Sequence, residues 1–215
     1  MSYTLFYSPG AASFAVHWML FELKTPFTAQ LVDIESGNQR SPEYLSLNPV
    51  GRVPTLIVDG KPVTESTAIL MLLAERHPES GLAPKPDTPE RAEWLELMIY
   101  MANTLLPSMR DWFYADKDGS PEDADAIRTL ARARSRIEEA CEYLDKRLAN
   151  QQTYLVGDRL TTVDLLATML MRWTRNMPTP AMQWPHLASY IYRMRELPSF
   201  LQTHNQEKLE GWLNS

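Results

Sequence analysis

"VPTLIVDGKPVTESTAILMLLAERHP" (residues 53–78) decides the fold. Two short extended runs, "TLIV" and "KPVT", flank Asp59-Gly60, the strongest short hairpin signal because that pair tolerates the left-handed backbone of a tight turn. The helix that follows opens at Ser66 and is stopped by Pro78. A lone hairpin is at best marginally stable in water, so this one calls for partner strands upstream. "YTLFY" (3–7) and "FTAQLV" (27–32) have strand character, and residues 12–24 between them carry Val16, Leu20 and Leu23 at helical spacing. A β-α-β unit of this kind predicts two parallel strands with a right-handed crossover. The first 80 residues therefore read β-α-β then β-β-α, with a polar, turn-rich connection at "DIESGNQRSPEYLSLNPVGR" (33–52).

The pattern changes after residue 78. "PESGLAPKPDTP" (78–89) holds four of the 16 prolines and reads as an interdomain linker. Beyond it the periodicity is helical throughout, with helices expected over 89–115, 121–149, 162–176, 185–196 and 198–204. In the second of these, Ile127, Leu130, Ile137, Cys141, Leu144 and Leu148 form an apolar stripe. Thr161 with Asp164 reads as a capping box, a folding element rather than a catalytic one. The expected fold class is α/β plus all-α: a domain over 1–80, a linker over 81–88 and an all-helical domain over 89–215.

Bulk properties exclude several function classes. The chain has 215 residues, 44% hydrophobic and 22% charged, values of a globular protein. A net charge of −6 disfavours nucleic-acid and anionic-membrane partners. No apolar run approaches the ~20 residues of a membrane span. No Lys or Arg precedes Lys24, which is not the pattern of a signal peptide. Cys141, the single cysteine, excludes an internal disulfide and suits a reducing cytoplasm. The histidines at 17, 77, 186 and 204 lack metal-ligand spacing, so no metal is expected.

Three motifs carry the chemistry. "YSPGAAS" (7–13) ends a strand, turns, and opens a helix with one hydroxyl, Ser13, beside outward-facing N–H groups. "NPVGRVPTL" (48–56) and "TESTAI" (64–69) place a proline before a strand and a Glu-Ser pair at a helix start. With "GDRLTTVD" (157–164), these motifs and the two-domain pattern resemble the cytosolic glutathione transferases over nearly the whole chain. The opening is most similar to bacterial members of the beta class, with Ala12 standing where those carry a cysteine.

The resemblance implies a fold, a thioredoxin-like domain followed by helices, and a function: conjugation of glutathione to small hydrophobic electrophiles. It implies a cis Val53-Pro54 bond, with the peptide groups at Val53 paired to the tripeptide's cysteinyl backbone. Glu65 and Ser66 take the γ-glutamyl end, and Gln39 and Arg40 are candidates for the glycyl carboxylate. Asn103 stands where beta-class members often carry a histidine, and reaches glutathione across a two-fold homodimer if it contacts it at all. Ser13 is the candidate to stabilise the thiolate, with Tyr7 as the rival. A thiol of pKa near 8.5 is only about 3% ionised at neutral pH. Lowering that by about two units takes roughly 2.7 kcal/mol, within reach of a hydroxyl and a helix N-terminus together. His17, one turn along, invites a Ser-His pair, but no orienting carboxylate is evident in the sequence, and a packed side chain is the reading kept. Leu106, Trp112, Phe113, Met171 and Trp173 are candidates for an electrophile pocket between the domains. A glutathione-dependent disulfide or peroxide reductase and a non-catalytic protein of the same fold are the alternatives.

Overall fold

The computed structural model describes residues 2–118, 120, 123–150 and 152–212, with backbone alone at 116–118. The expected helix start at 121 and the last expected domain residues, 213–215, lie outside the described residues. The chain divides into two compact units, Met1–Ala83 with Arg195–Ser215, and Pro84–Met194.

The first unit is built on a four-stranded sheet of order β2-β1-β3-β4: β1 (Tyr3–Tyr7), β2 (Thr28–Leu31), β3 (Thr55–Val58) and β4 (Lys61–Thr64). β1 pairs with β2 in parallel, as the β-α-β reading requires, and β3 pairs antiparallel with both β1 and β4. The hairpin turn falls on Asp59 and Gly60, both at positive φ (50° and 80°). α1 (Phe14–Glu22) is the crossover helix, and α3 (Ser66–Arg76) follows the hairpin. The connection read as turns contains a short helix, α2 (Pro42–Leu47), whose Ser41 cap accepts from the Tyr44 N–H and whose first residue is proline. Those are ordinary helix-start signals, hidden in a six-residue element too short to show periodicity.

α1 is covered all round: Phe14 to Leu20 are all buried. β1 and α3 account for part of that cover, and the rest comes from the far end of the chain. α9 (Pro198–Gln206) packs on α1, with Phe200 edge-on to Phe14 and Trp18 (ring centroids 5.5 and 5.0 Å). The Trp18 indole N–H donates to Ser199 Oγ at 2.8 Å, and Ser199 donates to Glu22. The sequence reading assigned everything from 89 onward to the helical domain; the last helix instead completes the core of the first unit.

The second unit holds α4 (Glu90–Tyr100), a π-helical turn (Met101–Leu105) that runs into α5 (Leu106–Asp118), α6 (Ala124–Leu148), α7 (Thr162–Trp173) and α8 (Pro185–Arg195). α7 is its centre, buried from Thr162 to Arg172. Asp164 closes the capping box by accepting from the Thr161 N–H at 2.8 Å, and also accepts from Leu155 N–H and Tyr190 O–H, each at 2.9 Å. On α6 the expected stripe is buried from Ile137 to Leu148, but Ile127 is 54% exposed, and Ala126 is the residue that the first turn buries. The charged member of that stripe, Arg134, turns aside to Glu138 (2.7 Å) and Thr179 (3.0 Å).

Candidate functional site

Sheet register gathers the motifs. Phe6 lies opposite Thr55, and Thr55 opposite Thr64, so the end of β1, the start of β3 and the end of β4 share one edge of the sheet. β2 ends there too, with Leu31 beside Tyr7 and the Val32 N–H donating to the Tyr7 carbonyl at 2.8 Å. Residues 8–13, 32–40, 52–54 and 65–66 therefore all leave or enter the sheet at that end.

The loop 8–13 is tied at its base by Ser13. Its Oγ accepts from the Ser8 N–H and donates to the Ser8 carbonyl, both at 3.1 Å, and Ser13 is 0% exposed. A single hydroxyl proton cannot serve a carbonyl and a sulfur at once, and a side chain with no exposed area offers a docked thiol nothing to touch. The geometry thus gives Ser13 a different use from the expected one: it closes the turn. Tyr7 is half-buried on the α1 side of the sheet, its ring 4.9 Å from that of His17. Burial, and after it the Glu207 carboxylate, pushes the Tyr7 phenol above its ordinary pKa, so it stays protonated and able to donate. His17 does have an orienting carboxylate, contributed from 190 residues away: Glu207 Oε1 lies 2.8 Å from His17 Nδ1, with both side chains fully buried.

Val53-Pro54 is cis. Pairing of β3 starts at Thr55, so the half-buried Val53 stands outside the ladder. Two side chains absent from the expected site hold this corner. Asn48 donates through Nδ2 to the Arg52 carbonyl (2.7 Å) and to Thr55 Oγ1 (3.2 Å), and accepts the Val50 N–H on Oδ1 (3.1 Å). Tyr44 donates its hydroxyl to the same carbonyl at 2.7 Å, 2.9 Å from Thr55 Oγ1. Gly51, at φ 64°, is needed because a Cβ there would meet Arg40 Nη1 and the Gln39 carbonyl at 2.7 and 2.8 Å. Arg40 also donates to the Val50 carbonyl at 3.0 Å, while Gln39 Oε1 is buried with no partner.

Across the edge, Glu65 is exposed and holds φ 68°, ψ 110°, a backbone conformation that L side chains rarely adopt. Ser66 opens α3 and is 5% exposed; Thr67 beside it has a buried Oγ1 with no partner.

Comparison with known proteins agrees with this architecture. The family model described as "Glutathione S-transferase, N-terminal domain" matches residues 1–75, and "Glutathione S-transferase, C-terminal domain" matches 119–198. Glutathione S-transferase GST-4.5 of Xanthomonas campestris is 30% identical over 190 residues, covering 88% of this chain and 91% of that one. The chain belongs to the glutathione S-transferase family. Glutathione S-transferase GstA of Escherichia coli is 28% identical over 208 residues, 96% of this chain and 99% of its own. A solved sphingomonad glutathione S-transferase complexed with glutathione aligns at 26% identity and a TM-score of 0.82, covering 96% of this chain and all of that one.

The remaining expected residues of this glutathione S-transferase lie in the helical unit. Asn103 is exposed on the π-helical turn, and Leu106 and Trp112 are half-buried on α5. Phe113 meets Trp173 edge-on at 6.1 Å. Met171 is fully buried, 3.8 Å from the Cys141 thiol, so it serves the core of α6 and α7 rather than an open pocket wall. Burial pushes the Cys141 thiol up to about 12, which keeps it protonated and inert. A cavity of about 420 Å³ lined by Leu20, Phe21, Phe27 and Gln202 sits at the opposite end of α1 from loop 8–13 and is no part of this site. Among the described residues, no group of three His, Cys, Asp or Glu side chains is placed to hold a metal. No described helix is long and apolar enough to cross a membrane.

Proposed function

We propose that this chain binds glutathione at the shared sheet edge, favours its thiolate, and conjugates it to small hydrophobic electrophiles. The observation that carries the reading is the convergence of four separate segments at one end of the sheet. The peptide groups of Val53 pair with the cysteinyl backbone as an added strand. Ser66 and the first turn of α3 take the γ-glutamyl carboxylate, and Glu65 takes the ammonium. The side-chain NH2 of Gln39 and the remaining donors of Arg40 take the glycyl carboxylate. Tyr7, rather than the enclosed Ser13, donates to the sulfur, assisted by N–H groups at the first turn of α1. The sulfur forms a bond to the electrophilic carbon as the carbon's leaving group departs with its electron pair.

Ala12 and the inert Cys141 leave no protein thiol for a mixed disulfide, which favours conjugation over disulfide reduction. The active form is a cytoplasmic homodimer in which Asn103 approaches the partner's glutathione.

Calorimetric titration with glutathione tests the reading directly. Micromolar-to-millimolar binding is expected, weakened at least about tenfold in Ser66→Ala, the loss of one charge-assisted hydrogen bond. Conjugation of 1-chloro-2,4-dinitrobenzene is expected to exceed disulfide reduction. A wild type that takes up no heat with glutathione removes both enzymatic readings and leaves a binding or scaffold role.

A further inference from the structure

Glu207 lies just past the end of α9, is 3% exposed, and divides its two oxygens between different elements. Oε2 accepts the N–H of Gly10, at the tip of loop 8–13, at 2.7 Å. Oε1 faces His17 Nδ1 on α1 at 2.8 Å. The other ring nitrogen, Nε2, is buried with no partner, so the imidazole proton belongs on Nδ1, where the carboxylate accepts it. The ring itself is wedged between Tyr7, Phe21 and Phe27, at centroid distances of 4.9, 5.1 and 5.5 Å. Glu207 is held in turn by its own N–H to the Thr203 carbonyl at 2.9 Å, and α9 by its packing on α1.

Loop 8–13 is thus tied twice. Ser13 closes its base, and a carboxylate just past α9 holds its tip, where Gly10 adopts φ 66°. We propose that Glu207 is a positioning residue for the thiolate site: it fixes the pitch of loop 8–13 against α1, and so the placement of the N–H groups that face a bound sulfur. This rests on the glutathione reading above. The carboxylate acts through the Gly10 amide and His17, and makes no contact with the reacting atoms. It also explains why the C-terminal segment belongs to the first unit.

The test is the thiolate absorbance of bound glutathione, titrated against pH in wild type, Glu207→Ala and Glu207→Gln, with calorimetry of glutathione binding alongside. Glu207→Ala is expected to move the thiol midpoint up toward its free value and to lower kcat/KM by about 100-fold, the effect of misplacing a reacting group by roughly 1 Å. Binding affinity should change far less, because the γ-glutamyl end is held elsewhere. Glu207→Gln keeps an oxygen for the Gly10 amide, and its NH2 group meets His17 Nδ1 once the imidazole proton moves to Nε2, so it is expected to return the midpoint toward the wild-type value. A Glu207→Ala protein whose bound thiol titrates as wild type overturns the inference, as does a Glu207→Gln protein as impaired as the alanine variant. Should Glu207→Ala fail to fold, the Gly10 amide in nitrogen-labelled wild type and Glu207→Gln decides: slow exchange and a downfield shift support the tie, and exchange as fast as an open loop amide overturns it. A wild type that binds no glutathione, or binds it without lowering the thiol midpoint, overturns the function and the inference together; a wild type that lowers the midpoint, with Glu207→Ala lowering it equally, overturns the inference alone.

Discussion

Glu65 holds a left-handed backbone (φ 68°) with a side chain that makes no capping hydrogen bond, an arrangement that costs stability and calls for a return elsewhere. Strain of this kind costs on the order of 1–3 kcal/mol, while glycine removes it at an entropic cost of roughly 0.5–1 kcal/mol. Glu65→Gly is therefore expected to stabilise the fold by about 1 kcal/mol and to weaken glutathione binding at least about tenfold, the ammonium partner being gone. Urea unfolding and calorimetry on the same preparation check it; a variant that gains no stability and binds as before would remove Glu65 from the site. The two hydroxyls separate in the same way. Ser13→Ala leaves the Ser8 N–H without its partner, while the Ser8 carbonyl keeps the Ala11 N–H, and is expected to cost about 1–3 kcal/mol of stability. Tyr7→Phe is expected to spare stability and raise the midpoint of bound thiolate formation, read by ultraviolet absorbance. The reverse pattern would return the donor role to Ser13. Sequence placed both residues at the site and could not divide their roles, because the partner of Ser13 is a backbone group five residues back and that of His17 a carboxylate 190 residues on.

At the scale of elements, legibility followed locality. The Asp-Gly hairpin and the Thr161–Asp164 cap were legible because each is set by residues a few positions apart, and the parallel strand pair because one helix joins its two strands directly. α2 was not, although Ser41, Pro42 and Glu43 are a sound helix start, because six residues show no period. The clamp that Asn48 and Tyr44 place on the Arg52 carbonyl depends on how α2 docks, which no local pattern states. The cap on α7 has a pH signature of its own. Burial raises the Asp164 carboxyl to about 6 against an ordinary 3.8, the hydrogen bonds from Leu155, Thr161 and Tyr190 offsetting only part of the cost. Between those values the folded chain keeps a proton that the unfolded chain has released. The stabilising contribution is thus complete below about pH 4 and is lost as the pH rises through about 6, a span worth about 3 kcal/mol. Urea unfolding at several pH values should show wild type gaining on Asp164→Asn by that amount between pH 7 and pH 4. A gap independent of pH would mean the carboxylate stays ionised throughout, its four hydrogen-bond donors outweighing burial.

Over the whole molecule, the chain order and the packing order differ: the first strand and the last helix share a core, and composition could not show it. A trace was present, since "FAVHWML" (14–20) is apolar around the full helix circumference and so requires cover on more than the sheet side. Phe200 provides the centre of that cover, fully buried between Phe14, Trp18 and His204. Truncating a buried phenylalanine leaves a cavity and typically costs about 3–5 kcal/mol, a large part of the stability of a domain this size. Phe200→Ala is accordingly expected to raise amide exchange in β1, α1 and α9 together, because Glu207 and Ser199 reach the first helix only while α9 stays docked. Thiolate formation by bound glutathione should weaken in step, since the tip of loop 8–13 would lose its acceptor along with the helix that carries it. Exchange mass spectrometry resolves the three segments. If the α1 amides of Phe200→Ala remain as protected as in wild type, α9 does not hold the first helix and the dependence of the sulfur site on Glu207 at its end fails with it.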